Sequence, residues 1–205
     1  MVGEWVFRIV LVVMMLGYVV PRTIYRRRAH RVDPESNPGF TNTSESKLRL
    51  LLLGVCGLSS DLLSLAWAVN PSWLVWSSLA LPEWLRWLGV PAAVMAVWVG
   101  YLTMRTLGAN YTAALNTKRE QRIVMDGIYG VIRHPMYVSF FALLAACFLL
   151  TANWLVGLLG LGYSLLIVER VPHEERMMIA RFGDEYRAYM MRAGRFFPRL
   201  TRNEE

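Results

Sequence analysis

Long apolar runs alternate with short polar connections along this 205-residue chain. A membrane-spanning helix needs roughly 20 apolar residues, fewer when flanking side chains snorkel. Five runs meet that need: Trp5 to Val20, Leu48 to Val69, Trp84 to Met104, Met136 to Leu150 and Trp154 to Val168. Thr151, Ala152 and Asn153 alone separate the last two, which predicts a tight helical hairpin. The segment Trp73 to Leu81 is too short to span and stops at Pro82, so it reads as interfacial or re-entrant. The expected fold class is an all-α integral membrane protein. It has about five transmembrane helices, with spans four and five as a hairpin, and a C-terminal amphipathic helix.

Charge orients this pattern. Arg22, Arg26, Arg27 and Arg28 follow the first run instead of preceding it, the reverse of a signal peptide. A retained span with its N-terminus outside is therefore expected. Segments 21–49, 105–135 and 169–205 then lie inside and hold 20 of the 22 Lys and Arg; only Arg8 and Arg86 lie outside. That asymmetry is the positive-inside rule. It accounts for the net charge of +7 without a nucleic-acid partner and makes the lipid bilayer the expected partner. If the chain is prokaryotic, the expected membrane is the inner or plasma membrane.

Composition agrees. Apolar residues make up 55% and charged residues 18%, with a mean hydropathy of +0.34. A soluble domain carries about 25% charge. Eight Trp and nine Tyr suit the two membrane interfaces. Cys56 and Cys147 both lie in apolar runs, so neither a disulfide framework nor a metal site is expected. Asp61 is the one acid deep in a run, and the neighbouring Ser59, Ser60 and Ser64 offer it polar company. Asn42-Thr43-Ser44 fits a glycosylation sequon but falls on the expected inner side.

Candidate chemistry gathers in two inner segments. Arg133 and His134 precede Pro135, which suits the first turn of a helix. Both then stand at the electropositive end of the fourth span, a place that favours anions. In the tail, Pro172 is expected to start a new helix with His173, Glu174 and Glu175 in its first turn. Ile179, Phe182, Tyr186 and Tyr189 recur at helical spacing and predict an amphipathic helix lying along the inner face, interrupted at Gly183. Each of these residues taken singly has a plain structural explanation; their grouping points to a site.

The grouped motifs resemble the isoprenylcysteine carboxyl methyltransferases and their prokaryotic relatives. The first block is Leu107-Gly108-Ala109-Asn110-Tyr111, then Asp126-Gly127-Ile128-Tyr129, then Arg133-His134-Pro135-Met136-Tyr137. The second is Glu174-Glu175, Phe182-Gly183-x-x-Tyr186-x-x-Tyr189 and Arg195-Phe196-x-Pro198. Ser139 stands where the family pattern has Gly. The resemblance implies S-adenosylmethionine as methyl donor and an acceptor that enters from the lipid side, with the site at the cytoplasmic face. It implies Tyr129, His134, Pro135, Tyr137, Glu174, Glu175, Tyr186 and Tyr189 as cofactor-binding candidates. Arg133, Glu174 and Arg195 are the catalytic candidates, the two arginines as holders of a carboxylate. It further implies one domain over residues 1–205, with generic spans to 104 and the cofactor core at 105–198. Three other readings stay open: phospholipid N-methylation, an NADPH-dependent sterol-type reductase, and a non-catalytic membrane partner. The Arg133-His134-Pro135-Met136-Tyr137 block differs from the reductases' Arg-His-x-Asn-Tyr pattern and favours methyl transfer.

Overall fold

A computed structural model describes residues 3–32, 46–108 and 123–199. The Asn42 sequon and the Ala109-Asn110-Tyr111 motif lie outside the described residues. Seven α-helices are described: α1 (Gly3–Val32), α2 (Lys47–Val69), α3 (Glu83–Trp87), α4 (Gly89–Leu107), α5 (Pro135–Thr151), α6 (Trp154–Phe182) and α7 (Asp184–Arg192). Among the described residues the only β pairings are two isolated bridges, Ser78 with Asn153 and Ile132 with Gly194. Four stretches are long and apolar enough to cross a membrane: Gly3–Arg31, Lys47–Val69, Glu83–Leu107 and Trp154–Phe182. The shorter α5 is the fifth apolar helix. The protein is an all-α integral membrane protein.

Side chains sort by helical period. Phe7, Leu11, Met14 and Tyr18 line the buried face of α1, while Ile9, Val13, Leu16 and Val20 face outward. In a bilayer those outward residues meet acyl chains. The facing stripe of α4 is small, with Ala93, Ala96 and Gly100, so the backbones approach closely. A Cβ at Gly100 would come 2.8 Å from the Tyr18 ring. Ser139 fits the same junction. Its hydroxyl is 3.0 Å from that of Tyr18 and donates to the Met136 carbonyl at 2.8 Å, tying α5 to α1.

The hairpin forms where its three linking residues predict. Ala152 takes a left-handed conformation (φ 48°), and the Asn153 side chain caps α6 by accepting from the amides of Leu155 and Val156. The same side chain donates to Ser77 Oγ at 2.7 Å, so the turn packs on the 3-10 segment Pro71–Ser77 that replaces a span here.

One expectation needs correction. Pro172 does not start a helix; α6 runs through it from Trp154 to Phe182. The apolar run ends at Val168 because the surroundings change there, not because the backbone does. Proline removes one hydrogen bond, which an otherwise continuous helix can absorb. Glu174 and Glu175 are therefore interior to a long helix, and the first-turn explanation for them falls. The third run forms the span Glu83–Leu107 as expected, with Leu88 alone separating α3 from α4. The tail stripe is interrupted at Gly183 as expected and forms parts of two helices. Gly183 sits at φ 57°, where a side chain is strained, and ends α6 one residue before α7 begins.

Candidate functional site

Pro135 begins α5 as anticipated, and His134 is its N-cap residue. The Arg133 side chain does not stay at that helix end. It turns toward α6 and the segment after α7. Its Nε and Nη2 donate to Glu175 Oε1 at 3.3 and 2.9 Å, and Nη1 donates to the carbonyls of Met190 (3.1 Å) and Ala193. His134 Nε2 lies 3.3 Å from the same carboxylate oxygen. Arg195 donates through Nε to Oε1 (3.2 Å) and through Nη2 to Oε2. One carboxylate thus gathers two guanidinium groups and an imidazole. Arg133 and Glu175 are 7% and 4% exposed, so their charges are sealed in and must satisfy each other.

Backbone pairing reinforces this knot. The Gly194 amide donates to the Val131 carbonyl, the Arg133 amide to the Gly194 carbonyl, and the His134 amide to the Arg195 carbonyl, at 3.0, 2.7 and 3.1 Å. A short parallel strap, residues 193–195, therefore lies along residues 131–134. Nothing local in either segment announces this pairing, because it joins residues some 60 positions apart.

Glu174 is in a different setting. Its Oε2 accepts from the Tyr137 hydroxyl at 2.7 Å and lies 4.0 Å from His134 Nδ1. It is 28% exposed. The His134 and Tyr137 rings stack at 5.5 Å and 7°, with Phe196 tilted against His134 at 6.0 Å. The site thus presents an accessible carboxylate, a phenol and an imidazole in line, next to a half-exposed arginine at position 195.

Tyr186 and Tyr189 are buried in a cluster with Ile123, Met125 and Ile179. The Tyr189 hydroxyl donates to the Tyr129 carbonyl at 2.7 Å, which pins α7 to the turn after Asp126. Burial pushes the Tyr189 phenol up to about 12, and burial with the nearby Glu175 carboxylate holds Tyr186 well above its ordinary value. Both stay neutral near pH 7. Gly127 begins that turn at φ 56°, where a Cβ would press on the Thr106 hydroxyl at 3.0 Å. Pro135 is buried at the α5 terminus and offers no polar atom toward the cluster. The structure therefore brings Arg133, His134, Tyr137, Glu174, Glu175 and Arg195 together, with Tyr129, Tyr186 and Tyr189 one layer behind.

An apolar core cluster adjoins these residues. Leu53, Tyr137, Ile167 and Val171 are buried there, with Phe140, Phe141, Tyr163 and Phe196 packed around them. Gly57 admits Tyr163, whose ring is 2.9 Å from where a Cβ would be. The Arg22 guanidinium lies over Phe140 at 5.4 Å. The motifs do not point to these α1 and α2 residues; the generic apolar character of spans one and two concealed them.

Residues 87–180 match the sequence model of the isoprenylcysteine carboxyl methyltransferase (ICMT) family. The family resemblance holds over that stretch. The chain is 32% identical over 84 residues to a protein-S-isoprenylcysteine O-methyltransferase of Schizosaccharomyces pombe, covering 39% of this chain and 34% of that protein. It is 28% identical over 114 residues to the nickel-cobalt-cadmium resistance protein NccN of Alcaligenes xylosoxydans xylosoxydans, covering 55% and 53%. The chain thus spans about a third to a half of these curated relatives. A solved structure of the eukaryotic intramembrane Ras methyltransferase ICMT superposes over 92% of this chain and 67% of that one, with a TM-score of 0.58 and 19% identity. At that identity the likeness is one of fold, and it extends to α1 and α2, beyond the ICMT match in sequence.

Proposed function

We propose that this protein is a membrane methyltransferase that uses S-adenosylmethionine and methylates a lipophilic acceptor at the cytoplasmic face. The observation that carries this reading is the meeting of the two motif blocks: Tyr137 and His134 of the first adjoin Glu174 and Glu175 of the second, beside an apolar, aromatic-rich cluster. The donor set suits the cofactor. Arg195 is 46% exposed and offers a cation for a carboxylate, while Glu174 offers an anion for an ammonium or sulfonium group. The bound cofactor would supply an activated methyl group.

The chain's own residues have positioning to do. Arg133 is a positioning residue, since it donates to Glu175 and to the carbonyls of Met190 in α7 and Ala193 in the strap. Glu175 in turn orients His134 and Arg195. Tyr137 holds Glu174, and Phe140, Phe141 and Phe196 exclude water from the acceptor side. Holding the reactants in line with water excluded supplies most of what a displacement at a methyl group needs. An ionised carboxylate acceptor requires no base; an amine acceptor would give its proton to Glu174 or His134. The acceptor is an apolar molecule with one nucleophilic head.

Calorimetric titration of S-adenosylmethionine and its demethylated product into the detergent-solubilised protein tests this. Micromolar binding is expected, weakened in His134→Ala and Glu174→Ala. A folded protein that binds neither ligand would sink the assignment, and binding of NADPH instead would promote the reductase reading.

A further inference from the structure

The stripe expected to lie on the membrane, Tyr186 with Tyr189, is turned into the protein. A different set of residues takes the outward position. Phe197 is 79% exposed, more than any other large hydrophobic side chain among the described residues, and Met191 is also exposed. The backbone that carries them closes into a turn. Arg199 Nη1 donates to the Met191 carbonyl at 2.6 Å, and Gly194 packs so tightly on the Phe197 carbonyl that a Cβ would come within 1.7 Å of it. Arg192 and Arg199 are exposed on the same turn. The acidic residues of α7, Asp184 and Glu185, are at its opposite end.

The depth of this turn follows from its neighbour. Phe196 packs edge-on against Phe141 at 5.5 Å. Phe141 is six residues into α5, about 9 Å past Pro135 at 1.5 Å per residue. The chain at 196–197 therefore runs beside an apolar membrane helix, just inside its polar end. An exposed phenylalanine there faces acyl chains, and arginines one turn away stand at headgroup level. Apolar insertion flanked by basic side chains is the physical signature of an interfacial anchor on anionic lipid.

We propose that residues 191–199 are a membrane anchor for anionic phospholipid. In this anchor Phe197 and Met191 enter the acyl boundary, Arg192 and Arg199 bind phosphate headgroups, and their seating holds the strap 193–195 on the site. The strap carbonyls that receive Arg133 and the His134 amide lie between the anchoring residues. Loss of the lipid contact therefore loosens the residues that orient Glu175 and Arg195.

Hydrogen exchange on the full chain in lipid nanodiscs tests this, comparing pure phosphatidylcholine with mixtures containing phosphatidylglycerol. Amides of 191–199 are expected to exchange more slowly with the anionic lipid, by about fivefold per arginine engaged. The double variant Arg192→Gln, Arg199→Gln should abolish the lipid dependence, and Phe197→Ser should speed exchange in both lipids. Amides of α4 serve as the folding control and should not change. Equal exchange in the two lipids, or a dependence that survives the double variant, overturns the proposal. The measurement uses no cofactor, so it stands or falls apart from the methyltransferase reading.

Discussion

The two ends of the helix bundle each hold a buried charge, and they handle it in opposite ways. At the end carrying the chain's N-terminus, Arg86 is the centre. It pairs with Glu4, donates to the Leu150 carbonyl at 2.7 Å and lies over the Phe7 ring at 4.3 Å and Trp67 at 5.7 Å. Nearby, Arg8 donates to the last carbonyls of α2, Ala68 and Val69, at 2.6 Å each. These cations face helix carbonyls, aromatic rings and one carboxylate, Glu4, which Arg86 pairs directly. At the other end the centre is an anion, Glu175, ringed by Arg133, His134 and Arg195, with a second carboxylate left partly open beside it. A buried charge therefore does not by itself mark a site. What distinguishes the second cluster is the accessible, chemically competent group that the sealed ones hold in place.

The sharpest way to break this comparison is Glu175→Ala. It leaves Arg133 buried without its counter-ion, and removing one partner of such a pair costs about 3–5 kcal/mol. Thermal unfolding in detergent should show that loss, and calorimetry should show no remaining cofactor binding. Arg86→Ala is the matched test at the other end. Loss of an ion pair, a carbonyl bond and a cation–π contact should destabilise by about 2–3 kcal/mol, yet cofactor affinity should not change. A large drop in affinity there would dissolve the division between the two ends.

Glu174→Gln sharpens the contrast inside the site. Glu174 is partly open, so stability should move by less than about 1 kcal/mol. Cofactor affinity or turnover should fall about 10- to 100-fold, the range for losing a hydrogen bond to a charged group. A matching loss of thermal stability would make Glu174 a structural residue instead. The smallest effect is expected at Ser139→Ala. It removes the tie to Tyr18 between α5 and α1, for about 1 kcal/mol in unfolding and no change in cofactor binding.

How much of this was legible in the chain varies with the kind of signal. The spans were readable because a bilayer imposes length and hydrophobicity on a helix. The hairpin was readable because three residues leave room for no other turn. The course of α6 through Pro172 was not, because an apolar run reports where the membrane ends and says nothing about where the helix ends. The pairing of Arg133 with Glu175 was not either. Arg133 beside Pro135 suggested a helix-end anion site, and only the approach of α6 and the strap shows its guanidinium engaged elsewhere. The tail stripe had the correct period but no means to choose between lipid and protein as the partner of its apolar face.

By itself, then, the sequence determined the membrane class, the number of apolar helices, and the motifs that resemble the ICMT family. These are properties of composition and spacing, which each segment carries independently of the rest. Tertiary structure alone decided which carboxylate is sealed and which is open, that α1 and α2 pack residues against the aromatic cluster, and that Phe197 instead of the tyrosine stripe faces outward. Those outcomes depend on contacts between residues tens of positions apart, and adjacent glutamates on one helix acquire different roles only when their separate neighbours arrive.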